Sequence, residues 1–210
     1  MMSALDSKRD ADFWLKKQPE FRLSKMPLSF STASLERPMI IAHAPSGYIL
    51  ATSIMRHIAS APVTAKTVVV AGIVGALAPD FDMGYFHLID NRQTHHHKYI
   101  SHWPIVWLTL AAASALWFSY ARQSKAAALS LVLCLGGVLH VALDSFVGDI
   151  WWFALFIDQP YAMFTVPARF KPWWLSFILH WSFAVELAIC IWAFLTCRGR
   201  SNPSLQARRP

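Results

Sequence analysis

Between residues 40 and 194 the chain carries five apolar stretches with few charges inside them. They read "IIAHAPSGYILATSIMRHIAS" (40–60), "TVVVAGIVGALAPDFDMGYF" (67–86), "WPIVWLTLAAASALWFSY" (103–120), "AAALSLVLCLGGVLHVALDSF" (126–146) and "WWLSFILHWSFAVELAICIWAF" (173–194). The last three come near the ~20 apolar residues that cross a bilayer as a helix. The first is interrupted early and the second has about a dozen clean residues before Pro79, so each admits a partial or re-entrant helix. Composition agrees: 55% of residues are apolar and 15% charged, where soluble domains run at roughly a quarter charged. The expected fold is all-α, a polytopic transmembrane bundle of four to five helices.

Details of the stretches sharpen this expectation. Pro45 marks the start of the first helix, since proline suits a first turn. Trp103, Trp117, Tyr120, Trp173 and Trp174 stand at segment ends, where amphipathic rings favour the membrane interface. The loop 147–172, with Trp151, Trp152, Pro160 and Pro167, is expected to lie on that interface or dip into it. Residues 1–38 are polar, mixed in charge and without the apolar core of a signal peptide, so they read as a mobile tail. The membrane domain then covers 39–197, and 198–210 form a basic tail.

The formal charge of +7 arises from 19 basic and 12 acidic residues, partly in these tails. Such flanks meet lipid headgroups, and a nucleic-acid partner is not expected. The lipid bilayer is the expected partner. Cys134, Cys190 and Cys197 have no CxxC spacing, which argues against a disulfide framework or a thiolate zinc site.

Following the chain back and forth across the membrane sorts its polar residues. If 40–60 crosses, His43 lies at one face, and Asp80, Asp82, His87, Asp90, His95, His96, His97 and His102 return to it. His140 and Asp144 end segment 126–146 there, and His180 lies two turns into the last segment. Eight of nine histidines thus gather at one end of the bundle. Ionisable groups at membrane depth are costly and usually mark function.

Taken singly, each element has a plainer reading. His140 and Asp144 are four apart, on one helix face, which suits two ligands of one metal or a simple His–Asp hydrogen bond. "APDFD" (78–82) is also a turn at a helix end. "HHH" (95–97) alone reads as a solvated loop, and Glu186 has no evident partner. Jointly, imidazoles and carboxylates form the donor mix of Zn²⁺, Mn²⁺ or Fe²⁺.

"AH" (42–43), "LAPDFD" (77–82), "HKYISH" (97–102) and "LHVALDSF" (139–146) follow one another in the order seen in the YdjM-like family, whose members are assigned as membrane-bound metal-dependent hydrolases. The family pattern runs from an early histidine to L-P-D-x-D, H-R-G-x-T-H-S and a final H-x-x-x-D. On this resemblance His43 matches the first histidine, and Asp80 and Asp82 match the carboxylate pair. His97 and His102 match the third motif, and His140 and Asp144 the last. The resemblance covers about 39–150. Lys98 stands in place of arginine, Ser101 of threonine and Trp103 of serine, and Ala78 precedes the Pro-Asp. His95 and His96 match no motif position and read as loop or accessory groups.

The resemblance implies an integral protein of the bacterial inner membrane that holds one or two divalent ions, zinc or manganese, on His43, Asp80, His97, His102, His140 and Asp144. Asp82 would take a proton from water, and Lys98 would steady an anionic group of a small-molecule or lipid-linked substrate. Two rival readings remain: a structural metal that staples helices, and a metal or proton transporter. A transporter needs ionisable groups along the bilayer's middle, where Glu186 stands alone.

Overall fold

The computed structural model describes residues 41–201, apart from positions 165 and 168. The expected tail 1–38 and the end of the chain from 202 lie outside the described residues. The described part is all-helical. In chain order it has α1 (His43–Ile54), α2 (Ala65–Leu77), α3 (Asp82–Leu88), α4 (Pro104–Tyr120), α5 (Lys125–Asp144), α6 (Trp173–Ile178) and α7 (Trp181–Ser201). Short 3₁₀ turns at Pro79–Phe81, His96–Lys98 and Ile100–His102 join them where the site lies.

Local chemistry sets the helix ends. Thr64 and Thr67 form a capping box at the start of α2: each hydroxyl accepts the other residue's backbone N–H at 3.2 Å. Ser124 caps α5 by accepting the Ala127 N–H at 3.2 Å. Pro104 opens α4 from the first turn. Pro79 lacks an N–H and stops α2, and the chain bends 58° into the helix that follows.

The helices pack side by side in the order α7, α1, α2, α5, α4. Glycines let three of these backbones touch. A Cβ on Gly47 of α1 would lie 2.5 Å from the Gly72 carbonyl oxygen of α2, and one on Gly136 of α5 would lie 2.7 Å from the Ala76 nitrogen. Such small-residue contacts drive helix association in lipid, where water supplies no hydrophobic force. The outward faces are apolar, with Leu108, Leu116, Leu187, Ile191, Phe194 and Leu195 exposed. By length and composition, Lys125–Asp144 and Trp181–Arg200 can each cross a membrane, and the bent pair Ala65–Leu77 and Pro79–Leu88 makes a third span if counted as one.

Several expected boundaries shift. Helix α1 has 12 residues and starts at His43, so Pro45 falls inside its first turn. Stretch 67–86 breaks at Pro79, in keeping with the partial or re-entrant helix that its short apolar run allowed, and α4 has 17 residues. The stretch 173–194 is also not one helix. It breaks after Ile178, and the spanning helix starts at Trp181 and continues through Arg198 and Arg200. The cause is His180, whose Nδ1 accepts the Ser182 N–H at 3.3 Å and caps α7. His180 therefore serves a helix end and does not join the other histidines.

Candidate metal centre

The site forms where the ends of α2 and α5, the start of α1 and the loop 89–102 meet. The glycine contact between α2 and α5 brings the Ala76 carbonyl to His140, whose Nδ1 donates to it at 2.7 Å. That bond fixes the proton on Nδ1 and turns the Nε2 lone pair inward. His102 is fixed similarly, with Nδ1 2.8 Å from Asp82 Oδ2, leaving Nε2 to face the cluster. Ser101 donates its hydroxyl to the same Asp82 oxygen, and the Trp107 indole holds the Ser101 carbonyl at 2.6 Å. A histidine oriented by a carboxylate on its far nitrogen is the usual arrangement around a metal ion.

The loop is closed by Asp90, whose Oδ2 accepts the Thr94 N–H at 2.7 Å. Asn91 and Arg92 turn the chain with φ of 51° and 62°, a left-handed conformation uncommon outside glycine. The next 3₁₀ turn drives His96 and His97 inward, each 1% exposed. Gly148 makes room, since a Cβ there would lie 2.8 Å from the His97 ring. Burial pushes the His97 imidazole well below its ordinary pKa, towards the neutral, metal-binding form.

Six side chains expected from the sequence come together here. Asp144, fully buried, has Oδ1 3.1 Å from His43 Nε2 and Oδ2 2.9 Å from His140 Nε2. The same Oδ2 lies 3.7 Å from His97 Nε2 and 4.0 Å from His102 Nε2. Asp80 Oδ1 is 3.5 Å from both His102 Nε2 and His140 Nε2. Asp80 is also the most open member, at 35% exposure.

The inward atoms are His43 Nε2, His97 Nε2, His102 Nε2, His140 Nε2 and both Asp144 oxygens, all buried, with one another and Asp80 as their polar neighbours. A buried atom of this kind that finds neither a proton nor a cation to share costs about 1–3 kcal/mol, more when charged. Lone pairs of an imidazole and a carboxylate at 2.9 Å need a proton or a cation between them. The donor set therefore fits a divalent ion, and three overlapping triads can hold one: His43/Asp80/His140, His102/His140/Asp144 and His96/His97/His102.

His96 is the member that motif spacing missed, and Glu186 supports the cluster from α7. The Glu186 side chain is fully buried and accepts the Ile41 N–H at 2.8 Å, just ahead of His43. Its role as an anchor of a backbone two residues from a site histidine had no signal in the sequence. Lys98 lies at the rim, 2.8 Å from Asp158 Oδ2 and 5.8 Å from the Trp151 ring centre. His87 accepts from Arg92 at 3.1 Å, on the exposed side of the loop.

A family profile described as "YdjM inner membrane protein" matches residues 39–202. No curated protein and no solved structure gives a match. The matched range takes in every described helix and every described residue of the His/Asp cluster. This chain belongs to the YdjM family of inner membrane proteins.

Proposed function

We propose that the protein is a metal-dependent hydrolase that acts at headgroup depth on a phosphoester or lipid-linked substrate. The observation that carries this reading is the set of buried imidazole and carboxylate donor atoms that converge on one another, with Asp80 partly exposed among them. The ligands would be His43, Asp80, His97, His102, His140 and Asp144, a borderline-hard set suited to zinc or manganese. Bound there, such an ion supplies Lewis acidity and lowers the pKa of a water molecule towards ~7.

The chain's own groups complete the chemistry. Asp82 orients His102 through Oδ2, and its carboxylate would serve as the proton acceptor for the attacking water. Lys98 exchanges Asp158 for an anionic group of the substrate; both side chains are exposed, so the exchange costs little. Phe153, Leu155 and Phe156, which follow Trp151 in the chain, are exposed, and such apolar side chains favour a substrate with a lipid tail.

The purified protein, loaded with zinc or manganese in detergent, should hydrolyse members of a panel of phosphomonoesters, phosphodiesters and lipid-linked phosphates. A chelator should abolish turnover, and added metal should restore it. Lys98→Ala should raise KM for the anionic substrate and leave metal content unchanged. The closed burial of most donors also favours a second reading, an ion that only staples α1, α2 and α5 together. Metal-replete protein that is stable yet inert towards the whole panel would replace the first reading with this one.

A further inference from the structure

The cluster offers more donors than one ion uses. Two of its triads, His43/Asp80/His140 and His96/His97/His102, share no residue, and within each the ligand atoms lie within 4.8 Å of one another. The third triad takes His102 from one set, His140 from the other, and adds Asp144. An imidazole nitrogen has one lone pair to give, so neither His102 Nε2 nor His140 Nε2 can serve two ions. A carboxylate has about four lone-pair sites on two oxygens and can.

Asp144 has the matching geometry. Its Oδ1 lies 3.1 Å from His43 of the first set, and its Oδ2 lies between the two sets, 2.9 Å from His140 of the first and 3.7 and 4.0 Å from His97 and His102 of the second. Asp80 Oδ1 stands equally far, 3.5 Å, from one histidine of each set. His96 and His97 are both 1% exposed, with ring centres 3.9 Å apart, and His97 has neither ring nitrogen hydrogen-bonded. One zinc ion takes four ligands and an octahedral ion six, whereas five histidines and two aspartates face this space.

We propose that the centre holds two divalent ions, one on His43, Asp80 and His140 and the other on His96, His97 and His102, with Asp144 spanning both. This rests on the metal-binding half of the reading above and adds His96 as a ligand. Carboxylate-spanned pairs typically hold their ions about 3.5–4 Å apart and suit substrates with several phosphoryl oxygens to hold.

The test is titration of the metal-stripped full chain with Mn²⁺, read by elemental analysis and by electron paramagnetic resonance. The expected result is two manganese ions per chain and a broad, exchange-coupled spectrum. His96→Gln should retain one ion per chain and give the six-line signal of an isolated Mn²⁺. One ion per chain with six lines in the wild type would overturn the pair while leaving a mononuclear hydrolase intact. Two coupled ions in His96→Gln would overturn the assignment of His96, and no bound ion in the wild type would overturn both readings. The wild-type spectrum decides the number of ions even if the variant fails to fold.

Discussion

At the scale of the residue, the centre depends on groups that hold its histidines in place. Asp82 fixes the tautomer of His102, and Ser101 fixes Asp82. Asp82→Asn keeps the size but offers an amide where the His102 N–H needs a carboxylate. Loss of such a partner typically costs 10–100-fold in metal affinity, so we predict a fall of roughly that size, measured by competition with a chromophoric chelator. An unchanged affinity would remove the positioning role and leave Asp82 only its proton-accepting one. The spacing of His140 and Asp144 and the order of the four motifs made six of these residues legible in the sequence. His96 was not legible, because a run of histidines says nothing about burial. Its inward turn depends on the Asp90–Thr94 bond and on two left-handed residues, neither of them glycine.

At the scale of the element, helix contacts and helix ends decide where the donors stand. Gly136 lies against the α2 backbone directly below the Ala76 carbonyl that orients His140. Gly136→Val should separate α2 from α5, lower stability by about 1–3 kcal/mol as overpacking does, and reduce bound metal. Gly84→Ala, in α3 with open space around its Cβ position, should leave both unchanged. Thermal unfolding in detergent and metal content check the pair together. His180 belongs to the helix end, so His180→Ala should fray the start of α7 and leave metal content at the wild-type value. Loss of metal in that variant would return His180 to the cluster. The sequence showed the five apolar stretches and the interruption at Pro79, but not the break within 173–194. An apolar run looks continuous whether or not a histidine caps a new helix within it, and the 58° bend after Pro79 turns on a single residue.

At the scale of the whole molecule, the described helices expose apolar side chains and bury the His/Asp cluster, and an ion bound there, as proposed, would couple its binding to folding. An ion present at 100 times its Kd stabilises the folded state by about 2.7 kcal/mol, so chelation should lower Tm and added zinc or manganese should restore it. Protons compete with the ion. Burial alone would lower the His102 pKa, but Asp80 and Asp82 outweigh it and hold the metal-free ring up at about 9. That raised value stabilises the metal-free fold fully below about pH 6.5, and the contribution fades as pH rises through about 9. The proton must leave before Nε2 can bind, so apparent metal affinity should increase with pH up to about 9, as isothermal titration at several pH values would show. Affinity that is flat over this range would mean that His102 is not a ligand.

Both the proposed hydrolysis and the proposed pair of ions require that the buried His/Asp cluster bind metal. The most direct measurement is elemental mass spectrometry of the detergent-purified chain, wild type beside Asp144→Ala. Near-stoichiometric or higher zinc or manganese in the wild type, lost in the variant, is the predicted result. A wild-type chain that stays metal-free after stripping and reloading, while folded and monodisperse, would contradict it and leave the cluster as a network of hydrogen-bonded, partly protonated histidines.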